Sequence, residues 1–497
     1  MDSRPTRLVA VSNRLPIRVK RERHGWRVDP GAGGLVSALA PVLRNRGGLW
    51  IGWPGTAEKI GSKYLAGPAS QDAGYDLRPV ILSEEQIRNY YYGFANQVLW
   101  PLFHDFQARC DFNPAFWYSY LAVNQEFART VAEYTKQTDY IWVHDYHLMY
   151  VAQAMREMGV ERKTGFFQHI PFPPVDIFLK LPWRAQILRA LLEYDLIGFQ
   201  TMRDRRNFIQ CLQLLYPHTK ASGRGPVITV DFEGRQVRVG SFAISIDFNA
   251  FAVAAASTEV ADRAWYFHEA LPNRTIILGL DRLDYTKGIP ERLEAMRSAL
   301  ARYPEMHGKV TFVEVVVPSR EDVPEYQHLK ARIEQLVGEI NGQFTTQGWV
   351  PIHYRYRSLS REELIAHYRS AEVALLTPLK DGMNLVAKEY CACSLEGNGV
   401  LILSEFAGAA AQLQKGALMV NPYDVEGVAD AIYRAFTMNQ DERYARMRRL
   451  RENIRKYDIF WWVDSFLEAG FARSLGDFPP IEEYIPEMKA KRSKARA

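Results

Sequence analysis

Cysteine is scarce in this chain: four in 497 residues, at Cys110, Cys211, Cys391 and Cys393. No disulfide framework can be built on so few. Only Cys391 and Cys393 lie close, at a spacing that fits neither a CxxC pair nor a zinc knuckle. They stand in a helix-like run with Ala392 and are expected to pack as small inert side chains. Such cysteine usage suits a reducing compartment, so a cytoplasmic location is expected. Long hydrophobic runs are also missing, and nothing approaches the roughly 20 apolar residues of a membrane span. Residues 1–7 are polar, so no signal peptide is expected. The body carries no charge excess. Lys and Arg number 62 against 57 Asp and Glu, and the surplus of five equals Lys489, Lys491, Arg492, Lys494 and Arg496 at the end of the chain. A neutral body argues against a nucleic-acid face, and residues 476–497 are expected to be a disordered basic tail. Internal repeats and low-complexity segments are absent before that tail.

What is present is a chain with 47% hydrophobic and 24% charged residues, long enough for two or three domains. Short apolar runs alternate with helix-like stretches, which indicates parallel sheets. In open α/β sheets ligands bind at the carboxyl ends of strands, so the residues that follow each run matter most. Leu8 to Ser12 is followed by Asn13-Arg14, which places Arg14 to hold an anion. Arg18 to Asp29 is polar and reads as a small hairpin or a loop. Gly31-Ala32-Gly33-Gly34 precedes an apolar helix and could bring backbone amides up to a diphosphate, although it is not GxGxxG and a plain turn is the alternative. Ser83 to Gln86 has the capping-box pattern and starts a helix running toward Tyr91. Tyr91 and Trp100 offer polar groups to a phosphate or sugar, with core packing as the alternative. Tyr140 to Val143 leads into His144-Asp145-Tyr146-His147. The two histidines have a metal-like spacing without a third ligand, and Asp145 reads better as a hydroxyl acceptor or charge stabiliser. Gly165 to Gln168 leads into His169-Ile170-Pro171, and Leu196 to Gln200 is a further strand.

The pattern pauses between Ile244 and Ala256, and a new series opens at Thr275. Two domains are therefore expected, 1–250 and 251–475, with a cleft between them. The first strand of the second series ends in Asp281-Arg282-Leu283-Asp284-Tyr285-Thr286-Lys287-Gly288. Arg282 and Lys287 suit a diphosphate. Asp281 and Asp284 invite a two-carboxylate glycosidase reading, but the adjacent cations favour an anionic leaving group. Val310 to Val317 ends in Pro318-Ser319-Arg320, a third arginine at the same edge. Val373 to Thr377 precedes a tight acidic turn, Asp381-Gly382-Met383-Asn384, and a helix carrying Leu385 and Glu389. Hydroxyl-accepting acids beside a helix start suggest a nucleotide sugar.

These strand ends, in this order, resemble the trehalose-6-phosphate synthases among the retaining GT-B glycosyltransferases. The resemblance spans roughly residues 8–470 and takes in Glu405-Phe406-Ala407-Gly408 and Asn421-Pro422-Tyr423-Asp424 as well. It implies two Rossmann-like domains facing a cleft that closes over the substrates. The implied reaction transfers glucose from a nucleotide-glucose, with UDP-glucose the expected donor, to glucose 6-phosphate, without metal or other cofactor. By resemblance, Arg14, Tyr91, Trp100 and Arg320 hold the acceptor phosphate and Asp145 its hydroxyls. Gly33, Gly34, Arg282 and Lys287 meet the donor diphosphate. Asp381, Gly382, Met383, Asn384 and Leu385 bind donor glucose and the adjoining phosphate, Glu389 takes the ribose, and His169 lies beside the glucose. Asp145, His169, Arg282, Lys287 and Asp381 form the implied catalytic set. Relatives commonly assemble as homodimers or tetramers. Nucleic acid and membrane are not expected partners, and there is no room for the phosphatase domain that some relatives carry. The alternatives are a synthase using another phosphorylated acceptor, such as glycerol 3-phosphate, and a non-catalytic sugar-phosphate sensor. The donor base is not legible in the residues.

Overall fold

The computed structural model describes residues 7–471 and 482–486, apart from 23–24, 32–34, 37–38, 41, 44–47, 59, 61–73 and 322. The apolar runs become strands: β1 (Arg7–Arg14), β2 (Ile17–Glu22), β3 (Gly25–Pro30), β4 (Leu49–Trp53), β5 (Asp76–Pro79), β6 (Asp139–His144), β7 (Lys163–Phe167), β8 (Leu196–Phe199), β9 (Lys220–Ser222), β10 (Val227–Phe232) and β11 (Arg235–Ser241). The later ones are β12 (Thr275–Arg282), β13 (Val310–Val317), β14 (Ile352–Tyr356), β15 (Val373–Leu376), β16 (Val400–Ser404) and β17 (Leu418–Val420). Among the described residues they form a sheet in the order β5-β4-β1-β6-β7-β8-β11-β10-β9, a second in the order β14-β13-β12-β15-β16-β17, and the hairpin β2–β3. The hairpin confirms one of the two readings of the segment from Arg18 to Asp29.

The second sheet is parallel throughout. In the first, only β10 runs against its neighbours. Strands such as β6 and β15 are buried along their whole length, as parallel strands covered on both faces must be. The strand order reverses between β1 and β6 in the first sheet, and again at β11 where the edge strands β10 and β9 follow; in the second it reverses once, between β12 and β15. This is the doubly wound arrangement, whose ligand crevice opens at the switch point beyond the carboxyl ends of the strands. Arg14, His144, Arg282 and Leu376 are the residues that end β1, β6, β12 and β15.

The capping box expected at Ser83 forms with Gln86, and a second box of the same pattern joins Ser360 with Glu363. The helix opened by Ser83 continues as a wider π-wound stretch, Ile87–Leu99, and ends in Trp100–Phe103. The pause read between Ile244 and Ala256 contains a helix, Phe248–Ala256, capped by the Asp247 side chain. Cys391 and Cys393 are buried in the helix Leu385–Cys393, with burial pushing the Cys391 thiol up to about 12.

The chain divides into two compact units. One comprises Met1–Ala261, Lys380–Leu395 and Arg451–Ile481; the other comprises Asp262–Leu379, Glu396–Leu450 and Glu482–Ala497. The sequence suggests one crossing near residue 250; the units cross after 261, 379, 395, 450 and 481. Side-chain packing inside the first unit shows why the late segments belong to it. Phe466, from the helix Ile459–Phe471, stacks on Trp142 of β6 with ring centroids 4.3 Å apart. It lies over Gly165 and Gly198, where a Cβ would come 2.9 and 2.7 Å from the ring. Lys388 of the helix Leu385–Cys393 is buried and donates from Nζ to the Ile244 carbonyl at 2.7 Å.

In the second unit a fully buried arginine joins three strands. Arg292 donates to Asp281 on β12 at 2.9 Å, to Glu314 on β13 at 2.6 Å and to the Leu375 carbonyl on β15 at 3.1 Å. Most of the expected tail, 476–481 and 487–497, lies outside the described residues. Within residues 482–486, Tyr484 donates to Glu405 at 3.3 Å and Lys415 pairs with Glu482 at 2.5 Å. Among the described residues no helix is long and apolar enough to cross a membrane.

Candidate active site

In the first unit, β1 turns Ser12 and Asn13 inward and leaves Arg14 outward. Ser12 accepts the Trp50 indole N–H at 2.8 Å, and Asn13 accepts the Tyr90 hydroxyl at 2.9 Å. With both neighbours held, Arg14 projects from the strand end and stacks on Trp53, its guanidinium carbon 4.6 Å from the ring centroid. Trp53 packs against Tyr91 at 5.6 Å, Tyr91 stacks on His147 at 6.1 Å, and His147 packs on Tyr146, which reaches Trp100 at 5.9 Å. Arg14, Tyr91 and Trp100 therefore belong to one run of rings. Trp53, Tyr146 and His147 connect them; the sequence reading gave Trp53 and Tyr146 no role and weighed His147 only as half of a metal-like spacing. Trp53 had a usable signal, since it ends an apolar run and is followed by Pro54-Gly55.

Asp145 stands at the adjoining strand end with φ +76, a conformation that costs a non-glycine residue and that clusters at functional sites. Its carboxylate accepts the His169 backbone N–H at 3.2 Å. Burial pushes the carboxyl up to about 7, against the lowering effect of the Tyr146, His169 and Ile170 backbone amides. His169 follows β7, and burial lowers it to about 3, so it is neutral near pH 7. Its Nε2 lies 3.1 Å from Nδ1 of His144. That is hydrogen-bond distance, with one of the two nitrogens as donor and the other as acceptor. His144 thus meets His169, a contact that its spacing to His147 does not signal. Among the described residues no three His, Cys, Asp or Glu side chains gather as a metal site.

The Asp381 to Asn384 turn packs on this same strand end. A Cβ on Gly382 would stand far inside contact distance of the His169 carbonyl oxygen and 3.0 Å from the Ile170 Cα. Asn384, at φ +78, caps the following helix through the Ala387 N–H at 3.0 Å and donates to Asp381 at 3.2 Å. Both ends of its amide are engaged, so its side chain shapes the turn. Met383 is buried, while Asp381, Leu385 and Glu389 are half-buried. Gly382→Ala is expected to push the two turns apart and cut kcat/KM for the donor by roughly 10²-fold, the scale of a 1 Å misplacement. Steady-state kinetics at saturating acceptor checks this, and near-native values would show that the turns accommodate the methyl.

In the second unit, Arg282, Lys287 and Arg320 gather around Asp284. The Asp284 carboxylate is fully buried; Arg282 and Arg320 approach its Oδ2 at 3.8 and 3.4 Å. Its Oδ1 accepts the Thr286 hydroxyl at 2.9 Å and the Thr286 N–H at 3.0 Å, which forms the short turn Tyr285–Lys287. Gly288 closes the turn at φ +64, where a side chain would strike the Thr377 carbonyl. Arg320 itself has φ +50 and touches the Tyr326 hydroxyl. Burial tends to raise the Asp284 carboxyl, but Arg320, Arg282 and Lys287 outweigh it, and the group lies below the usual carboxylate range. Asp281 and Asp284 have separate partners, Arg292 and the Arg320 cluster, which removes the two-carboxylate glycosidase arrangement. Gly33 and Gly34 lie outside the described residues. Tyr326 was not foreseen, and its position inside the segment Val323 to Gln327 gives no signal of a role.

A family model for glycosyltransferase family 20 matches residues 6–470. The chain is 41% identical over 465 residues to the UDP-forming alpha,alpha-trehalose-phosphate synthase A of Dictyostelium discoideum, covering 93% of this chain and 62% of that protein. It is 42% identical over 469 residues to the trehalose-6-phosphate synthase of Mycobacterium avium, covering 93% of this chain and 94% of that one. Among solved structures it is similar to a UDP-forming alpha,alpha-trehalose-phosphate synthase from Burkholderia xenovorans in complex with glucose-6-phosphate. That match has a TM-score of 0.84 and 35% identity, over 93% of this chain and 99% of that one. The fold is thus of the GT-B class, with two Rossmann-like α/β domains. With the match running over nearly the whole described length, this chain belongs to glycosyltransferase family 20.

Proposed function

We propose that this chain is a retaining glucosyltransferase that moves glucose from UDP-glucose to glucose 6-phosphate, giving α,α-trehalose 6-phosphate and UDP. The observation that carries the reading is the grouping of Arg282, Lys287 and Arg320 around Asp284. Three cations and one buried carboxylate leave an excess of positive charge, suited to phosphate-bearing substrates. The likeness to UDP-forming synthases supplies the sugar and the base. Arg282 and Lys287, with Gly33 and Gly34, are assigned to the donor diphosphate. Asp381, Gly382, Met383, Asn384 and Leu385 take the donor glucose and adjoining phosphate, with Glu389 on the ribose and His169 beside the glucose. Arg14, Tyr91, Trp100 and Arg320 hold the acceptor phosphate, and Asp145 accepts from acceptor hydroxyls. Homodimeric or tetrameric assembly in the cytoplasm completes the reading, supported by the family resemblance and by cysteine usage.

The chemistry follows from charge. The anomeric C–O bond to the diphosphate breaks with its electron pair leaving on UDP, and Arg282 and Lys287 stabilise that charge. The acceptor hydroxyl oxygen bonds to the same face of the anomeric carbon, and its proton passes to the departing phosphate oxygen. Neutral His169 can hold the glucose by hydrogen bonding without adding a cation beside the developing oxocarbenium. The test is incubation with UDP-, GDP- or ADP-glucose and glucose 6-phosphate, with products identified by mass and anomeric configuration. Transfer to glycerol 3-phosphate but not to glucose 6-phosphate would favour the alternative acceptor. Binding without turnover would favour a sensor. Because side-chain cations are assigned to the leaving group, activity is expected to persist in excess chelator. Complete loss restored by magnesium or manganese would show that a metal carries that role.

A further inference from the structure

We propose that Asp284 is a positioning residue serving both substrates: one carboxylate orients Arg282 and Lys287 for the donor diphosphate and Arg320 for the acceptor phosphate. This rests on the reading above and assigns a role to a residue that does not itself touch substrate. Its two oxygens divide the work. Oδ1 accepts twice from Thr286, at 2.9 and 3.0 Å, and so shapes the turn that presents Lys287. Oδ2 faces the other side, with Arg320 at 3.4 Å, the Tyr326 hydroxyl at 3.4 Å and Arg282 at 3.8 Å.

The distances matter as much as the partners. A carboxylate sequestering an arginine forms a charge-assisted bond of about 2.7–2.9 Å. At 3.4 and 3.8 Å the guanidinium groups are held by attraction without the short contact of a tight ion pair. Asp284 also limits repulsion among three cations at one edge of the sheet. Arg320 needs such restraint, because its backbone sits at φ +50 and its side chain is only 8% exposed. Tyr326 supports it through hydroxyl contact and through its ring, whose centroid lies 5.4 Å from the guanidinium carbon.

The decisive variant is Asp284→Asn, which keeps the shape and the acceptor for Thr286 but turns an amide toward two guanidinium groups. KM for UDP-glucose and KM for glucose 6-phosphate are both expected to rise about tenfold or more, the scale of losing one charge-assisted hydrogen bond. Arg320→Ala should raise the acceptor constant alone. In the double variant the acceptor loss should fall well short of the product of the single losses, since both changes act through one guanidinium. A purely structural Asp284 would lower Tm and leave both constants of the folded enzyme unchanged, which overturns the proposal. So does a fall in both constants, which would mean that the carboxylate competes with phosphate. If Asp284→Asn does not fold, Tyr326→Phe decides: a raised acceptor KM with unchanged donor KM supports the restraint of Arg320, and two unchanged constants overturn it. Wild type without turnover would overturn the functional reading instead. Calorimetry with UDP and with glucose 6-phosphate then tests Asp284 separately, and equal affinities in wild type and Asp284→Asn overturn its role.

Discussion

Alanine in place of Arg282 or Lys287 is expected to lower kcat by roughly 10²-fold or more, the usual consequence of removing one group that stabilises transition-state charge. Arg282 ends β12, and its side chain is 46% exposed, so it can move onto a ligand without leaving a buried cavity behind. Lys287 closes the turn shaped by Thr286 and Gly288. Neither removal should unfold the unit, because its buried ionic link is Arg292 with Asp281 and Glu314. The loss should fall on the chemical step, because negative charge on the diphosphate grows as the anomeric bond breaks. Glucose 6-phosphate binding, measured by calorimetry, should change much less. Near-normal turnover in both variants would remove the assigned role.

The second large effect concerns the acceptor. Arg14→Ala or Arg320→Ala is expected to raise KM for glucose 6-phosphate steeply, with the donor constant nearly unchanged. Removing one partner of a close charge pair typically costs about 2–5 kcal/mol. The Arg14 guanidinium carbon lies 4.6 Å from the Trp53 ring centroid; lysine would keep the charge and lose both the fork and the planar contact with the ring. Partial rescue by lysine is therefore expected at either position. Unphosphorylated glucose should be a very poor acceptor for the wild type, and the arginine variants should prefer glucose 6-phosphate far less. Equal use of glucose and glucose 6-phosphate by the wild type would remove the phosphate site and the synthase reading with it.

Much of this was legible because strand-end residues are local signals. An apolar run followed by a polar turn is visible in the residues alone, and Arg14, Asp145, Arg282 and Lys287 all follow or end such runs. The capping boxes at Ser83 and Ser360 formed for the same reason. What stayed hidden depends on contacts distant in sequence. The spacing of His144 and His147 offered a metal pair without a third ligand, and gave no sign that His144 meets His169, 25 residues away. Tyr326 reaches Asp284 over 42 residues, and Lys388 reaches the Ile244 carbonyl over 144. Strands β9 to β11 escaped notice because polar residues such as Lys220, Thr229, Asp231 and Arg238 interrupt their apolar pattern. The glycosidase pair failed on geometry: two carboxylates three residues apart were committed to different arginines.

The seating of Phe466 on Gly165 and Gly198 bears on how the chain is born. A ribosome delivers β6, β7 and β8 between 267 and 322 residues before the aromatic ring that covers them. Until residue 466 emerges, Trp142, Gly165 and Gly198 lack the ring that covers them in the folded chain. The intervening residues include the whole β12–β17 sheet, which can form during that interval. Completion of the earlier sheet is thus tied to synthesis of the helix Ile459–Phe471. Nascent chains stalled before the last helix would be the species most exposed to chaperones and to self-association.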